Sequence, residues 1–208
     1  MFITPARIKA VAIAGAAAAA LFTAGCSNDK DGTMPGMNHS ASSSAASPSA
    51  APAARTDFND ADVTFLQQMY PHHAQAVEMA KLVPSRSQNP RLLALATAVE
   101  QAQTPEMQQI TTLLQSFGKP APAAAGHGGH AMPGMMSGEQ MSALQAATGA
   151  EFDRQWLTLM IEHHTGAIDM AKTELAGGVN AESKALATNV IADQQKEIDT
   201  MRGMLAQS

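Results

Sequence analysis

The sequence predicts an all-α protein, a four-helix bundle assembled from two tandem helix hairpins. Residues 62–114 and 153–205 align without a gap at an offset of 91, with 18 identities over 53 positions. An internal repeat of this kind is one supersecondary unit used twice. Each copy reads as two helical stretches separated by a break, and no stretch shows the alternation or the β-branched enrichment of a strand. A hairpin with one apolar stripe cannot bury it alone. Two hairpins packed together bury both and give a bundle with an approximate internal two-fold.

The elements follow in chain order. Arg7 and Lys9 precede an apolar run of about 13 residues, Ala10 to Phe22, and then Thr23-Ala-Gly-Cys26. A charged start, a short apolar stretch and small residues before a cut make a secretory signal peptide over residues 1–25, since ~20 residues are needed to span a bilayer. Thr-Ala-Gly-Cys resembles a bacterial lipobox, with Thr23 where Leu is usual. That resemblance implies cleavage before Cys26, lipidation of its thiol, and a protein held on the extracytoplasmic side of a membrane. Cys26 is the one cysteine, which excludes an intramolecular disulfide. Removal of the signal leaves eleven Lys and Arg against 18 Asp and Glu, a net charge of −7. An acidic chain with 4% aromatic residues and no basic stripe argues against a nucleic-acid partner.

Residues 27–56 are Ser, Ala, Pro and Gly with few large apolar groups, the composition of a flexible tether. The bundle domain spans 57–208: repeat one 57–118, a linker 119–136, repeat two 137–208. Helix one starts with Asp60 or Asp62 as N-cap and runs to about Val83, kinked at Pro71. Asn89-Pro90, an N-cap followed by Pro at the first position, opens helix two, which runs to Phe117 with a restart at Thr104-Pro105. Gly118 and Pro120 end it. Ser137-Gly-Glu-Gln140 is a capping box opening a short helix to about Ala147. Helix three runs from about Ala150 to Leu175 and breaks at Gly177-Gly178, and Asn180 caps helix four, which reaches Leu205.

The two helices that begin the repeats carry the residues with metal chemistry. Met69, His72, His73 and Met79 fall on Met160, His163, His164 and Met170. On a helical wheel His72 lies near the centre of the apolar stripe and His73 on its flank. Met69 and His73 stand on neighbouring turns of one face, as do Met160 and His164. Adjacent histidines diverge by 100°, so one of each pair can line the interior while the other turns outward or joins a second site. The spacing does not decide which. Imidazole and thioether are both metal donors, and the softness of the thioether favours Cu(I) and Ag(I); imidazole also suits Cu(II). The usual structural zinc pattern needs cysteines that this chain lacks. A second donor set lies in the low-complexity segments: Met34, Met37 and His39 in the tether, and His127, His130, Met132, Met135 and Met136 in the linker. Met-Pro-Gly-Met occurs in both, and flexible chain of this kind can wrap an ion. Gln103 and Glu106, matched by Gln194 and Glu197, are placed as hydrogen-bond partners of the histidines or as polar edge positions. Asp62 and Asp153 read as helix caps, and Lys81 and Lys172 as solvated charges.

The pattern Asp-x-x-Phe/Trp-Leu-x-x-Met-x-x-His-His-x-x-Ala-x-x-Met-Ala, at Asp62 to Ala80 and again at Asp153 to Ala171, resembles the hallmark of the DUF305 family. The later Gln-x-x-Glu pairs resemble it too, and the likeness covers about residues 57–208. It implies a ferritin-like four-helix bundle in an exported bacterial protein, with a link to copper binding and tolerance in some members. The function expected is an extracytoplasmic copper-binding protein, buffer or chaperone, whose partners are metal ions, the membrane through Cys26, and a metal-transfer protein or a second copy of the chain. Two other readings are an interaction module with core histidines and a copper oxidase. A carboxylate-bridged di-iron site is disfavoured because no Glu is followed three residues later by His.

Overall fold

The computed structural model describes residues 55–120 and 132–207. They form five helices: α1 (Asp60–Arg86), α2 (Pro90–Ser116), α3 (Gly138–Ala146), α4 (Gly149–Gly177) and α5 (Ala181–Leu205). There is no strand among the described residues. Three-residue connections turn α1 into α2 and α4 into α5, so each pair is an antiparallel hairpin. The hairpins meet chiefly through α1 and α4, and the short α3 leans on α4. The start of α1 lies at the end of α4, where Asp62 accepts from the Val179 and Asn180 amides. The start of α4 lies at the end of α1, where the Trp156 indole N–H donates to the Met79 carbonyl at 2.9 Å. The two central helices are therefore antiparallel, as the internal two-fold requires.

Helix boundaries follow local chemistry. The cap of α1 is Asn59, and Asp62 is the third helical residue of a capping box with it. Asn89 and Asn180 cap α2 and α5, and Ser137 with Gln140 caps α3, all as expected. Asp153 is not a cap. Helix α4 begins four residues earlier, at Gly149, so Asp153 lies within its second turn with Oδ1 buried and unpartnered. Neither Pro71 nor Pro105 breaks its helix: α1 and α2 are continuous through them, and α2 shows no restart. Arg55, assigned by composition to the tether, is anchored. Its amide donates to the Ser116 carbonyl at 3.1 Å, and its guanidinium pairs with Asp57 and Glu182.

The apolar interior divides into two clusters. One contains Met79, Leu92, Leu144, Phe152, Trp156, Met160 and Met201; the other contains Phe65, Leu66, Met69, Ile110, Leu114, Met170 and Leu186. Each fully buried large side chain contributes about 1.5–3 kcal/mol. Between the clusters, in the middle of α1 and α4, lie the four histidines.

Candidate metal centre

His72, His73, His163 and His164 are all 0% exposed. Of the two alternatives for the second histidine of each pair, the outward turn does not occur. In a bundle, the residue at the stripe's centre faces the opposite hairpin, and the one on its flank faces the neighbouring helix of its own hairpin, so both are buried. His72 and His163 meet across the α1–α4 contact with ring centroids 3.8 Å apart. His73 turns toward α2, where its Nε2–H donates to Glu106 at 2.8 Å. His164 turns toward α5 and donates in the same way to Glu197 at 2.6 Å. The two His–Glu pairs are related by the repeat, and Pro105 does not disturb the first.

The electrostatics favour neutral rings in the middle of the layer. Burial pushes His72 down to about 3, assisted by neighbouring His73 and opposed by its hydrogen bond to Pro133. Burial, then His72 and His164, push His163 well below the ordinary histidine value. Both keep a lone pair at neutral pH, the state that a metal needs. His72 Nδ1, His73 Nδ1, His164 Nδ1 and both nitrogens of His163 are buried without a hydrogen-bond partner. A buried polar atom in that condition normally costs about 1–3 kcal/mol. The Glu106 and Glu197 carboxylates fix the outer rings with Nε2–H, which leaves Nδ1 as the donor nitrogen.

Among the described residues no three His, Cys, Asp or Glu side chains are gathered as for a metal ion. The imidazoles by themselves therefore do not make the closed tetrahedral cage of a structural zinc site. Buried Met69 and Met160 precede the histidine pairs by one turn. Met79 and Met170 stand two turns away, about 10 Å along the axis. All four lie in the apolar clusters.

Gln103 and Gln194 do not hold the histidines. Both amide atoms of Gln103 and the oxygen of Gln194 are buried without partners. Lys81 and Lys172 are exposed. The linker segment that the structure describes is not a free tract. Met136 is 5% exposed in the core, and Gln75 pairs with its backbone at 2.7 and 2.9 Å. Met132 and Met135 are half-buried. Met34, Met37, His39, His127, His130 and Cys26 lie outside the described residues.

Three contributors escaped the sequence reading. The Pro133 carbonyl accepts from His72 Nε2–H at 3.1 Å, Gln75 grips the linker, and Gly166 lets the linker approach α4. Glu174 is a fourth unforeseen residue. It is 1% exposed beside a groove of about 420 Å³ between α1 and α4, where Pro133 also lines the wall. Burial first, and then the neighbouring Asp62 carboxylate, push it up to about 8, so at neutral pH it is protonated, and neither of its carboxyl oxygens has a hydrogen-bond partner. The signal for Gly166 and Glu174 was present in the repeat: they fall on Gln75 and Val83, mismatches within a well-matched stretch.

The fold is similar to that of several solved proteins. A DUF305 fragment from Deinococcus radiodurans is 32% identical, with a TM-score of 0.66 over 72% of this chain and 98% of that one. A DUF305 protein from Streptomyces coelicolor, classed as secreted, is 31% identical, with a TM-score of 0.65 over 71% and 93%. CopM in its Cu(II)-bound form is 32% identical, with a TM-score of 0.62 over 70% and 96%. CopM also matches in Cu(I)-bound and Ag-bound forms at 28% identity. No curated protein sequence matches the chain. The model of the domain of unknown function DUF305 matches residues 62–205, and with its duplicated histidine motif and helical bundle the chain belongs to the DUF305 family.

Proposed function

We propose that the bundle binds a soft ion, Cu(I) by preference and Ag(I) by the same chemistry, and that the protein sequesters or delivers copper outside the cytoplasm rather than catalysing a reaction. The observation that carries this reading is the central layer of four buried imidazoles, each with Nδ1 unpartnered. Cu(I) tolerates few ligands and accepts both imidazole and thioether. Two imidazole nitrogens, with Met69 or Met160 beside them, supply such a set without a three-histidine cage. Cu(II) would ask for more nitrogen and oxygen donors in a square arrangement. The solved forms of CopM, with Cu(I), Cu(II) and silver, support the metal class. Anchoring through Cys26, and an auxiliary role for the tether and linker Met/His residues in capture, belong to the same proposal.

Anaerobic titration of the protein with Cu(I) against a competing chelator tests it. A variant with His72, His73, His163 and His164 all changed to Leu serves as the comparison. Tight binding that disappears in a folded variant is the expected result. Binding of equal affinity and stoichiometry in both would move the site to the Met/His segments. Absence of binding in the wild type would favour structural histidines in an interaction module.

A further inference from the structure

Residues 132–136 form a strap over the histidine layer. The Met135 amide donates to the Met132 carbonyl at 3.2 Å, with Pro133 and Gly134 at the two inner positions and φ +77° at Gly134. This is the shape of a type II turn, and it requires glycine there. The turn is pressed against α4. A Cβ on Gly134 would stand 2.7 Å from the Glu162 carbonyl and 2.8 Å from that of His163, and a Cβ on Gly166 would overlap the Pro133 carbonyl. Helix α4 thus keeps a glycine in its interior, at a cost of about 1 kcal/mol relative to Ala, where the strap passes. At the matching position of α1, Gln75 grips the far end of the strap through both backbone groups of Met136. One repeat position serves the strap twice: Gly166 clears its path and Gln75 holds it.

The strap makes the two facing rings, tilted by 41° to one another, unlike. A carbonyl only accepts, so the hydrogen bond to Pro133 requires a proton on His72 Nε2. His163, the counterpart of His72, has no partner at either nitrogen. We propose that the Met132–Met136 strap is a positioning element of the metal centre, which holds His72 in the Nε2–H tautomer so that Nδ1 is offered to the ion, and which slows the ion's release. This rests on the metal-binding reading above.

The test uses the protein with Gly166→Ala and, separately, Gln75→Ala. Three readouts are taken: ¹⁵N spectra of the histidine rings without metal, exchange protection of the Met136 amide, and the rate at which bound Ag(I) passes to a chelator. The wild type is expected to show one fixed His72 tautomer. The variants are expected to lose Met136 protection, show mixed His72 tautomers, and release Ag(I) about tenfold faster, the size of effect that outer hydrogen-bond partners have on metal sites. A folded variant that has lost protection at Met136 yet keeps the tautomer and the release rate overturns the proposal. So does protection retained in both variants, since Gly166 and Gln75 would then not hold the strap. A wild type that takes up no Ag(I) instead refutes the metal reading, and the metal-free spectra still decide whether the strap sets His72.

Discussion

The two hairpins are alike where they build the histidine layer and unlike where something else must be fitted against it. His73 with Glu106 and His164 with Glu197 are one arrangement made twice, at 2.8 and 2.6 Å. Around this shared centre the matched positions diverge. Asp62 accepts from the amides of Asn59, Val179 and Asn180, whereas Asp153 keeps a buried unpartnered oxygen. Glu174 is a buried acid where repeat one has Val83, and Gly166 stands where repeat one has Gln75. Duplication conserved the donors, and the connections broke the symmetry. The α4–α5 turn is fastened to the start of α1 through Asp62, and the linker hydrogen-bonds only one of the two facing rings, His72.

The largest expected contrast is between the two aspartates. Asp62→Ala leaves three backbone amides at a helix junction without an acceptor and should cost about 2–3 kcal/mol, at roughly 1 kcal/mol per lost bond. Asp153→Ala removes a buried oxygen that has no hydrogen-bond partner and should stay within about 0.5 kcal/mol of wild type. Urea denaturation of the metal-free protein measures both, and equal costs would contradict the asymmetry.

Glu174 supplies a pH signature that repeat one lacks. Its folded value of about 8 exceeds its ordinary 4.5, so the native state holds the proton more tightly than the unfolded chain. Stability from this group is complete below about 4.5, falls as pH rises through the window to 8, and levels off above it. Glu174→Gln should flatten that slope and raise stability at pH 8 relative to wild type. Thermal melts between pH 5 and 9 check it. A slope that survives the substitution would assign the effect elsewhere.

The smallest effect concerns what the hairpins share. Glu106→Gln and Glu197→Gln each weaken the hold on an outer imidazole. Each should lower Cu(I) affinity about tenfold, by a similar factor in the two repeats. Chelator competition reads the pair. A tenfold loss in one and none in the other would place the ion in a single hairpin's half of the layer.

Much of this was legible in the chain. The offset of 91 with its unbroken register disclosed the bundle, because a duplicated hairpin has one economical way to cover both apolar stripes. Asn89, Ser137 and Asn180 announced three helix starts through short-range capping chemistry, which needs no tertiary partner. The Glu three residues after each matched Gln was legible as a histidine partner only as a class. Gln103 and Glu106 differ by three residues on one helix, and the approach of α1 alone decides which of them the ring meets.

Sequence by itself determined the helices, their pairing into hairpins and the central band of histidine, since periodicity and capping are local and repetition is visible without coordinates. Tertiary structure decided the rest. It buried both members of each histidine pair, chose Glu106 and Glu197 over Gln103 and Gln194, and carried the helices unbroken through Pro71 and Pro105. It also fastened residues 132–136 across α4, so that chain with the composition of a loose tract became a strap on His72. These outcomes depend on which surfaces meet at distances of 3–4 Å, and such distances are set by the packing of one hairpin on the other, which no spacing along the chain records.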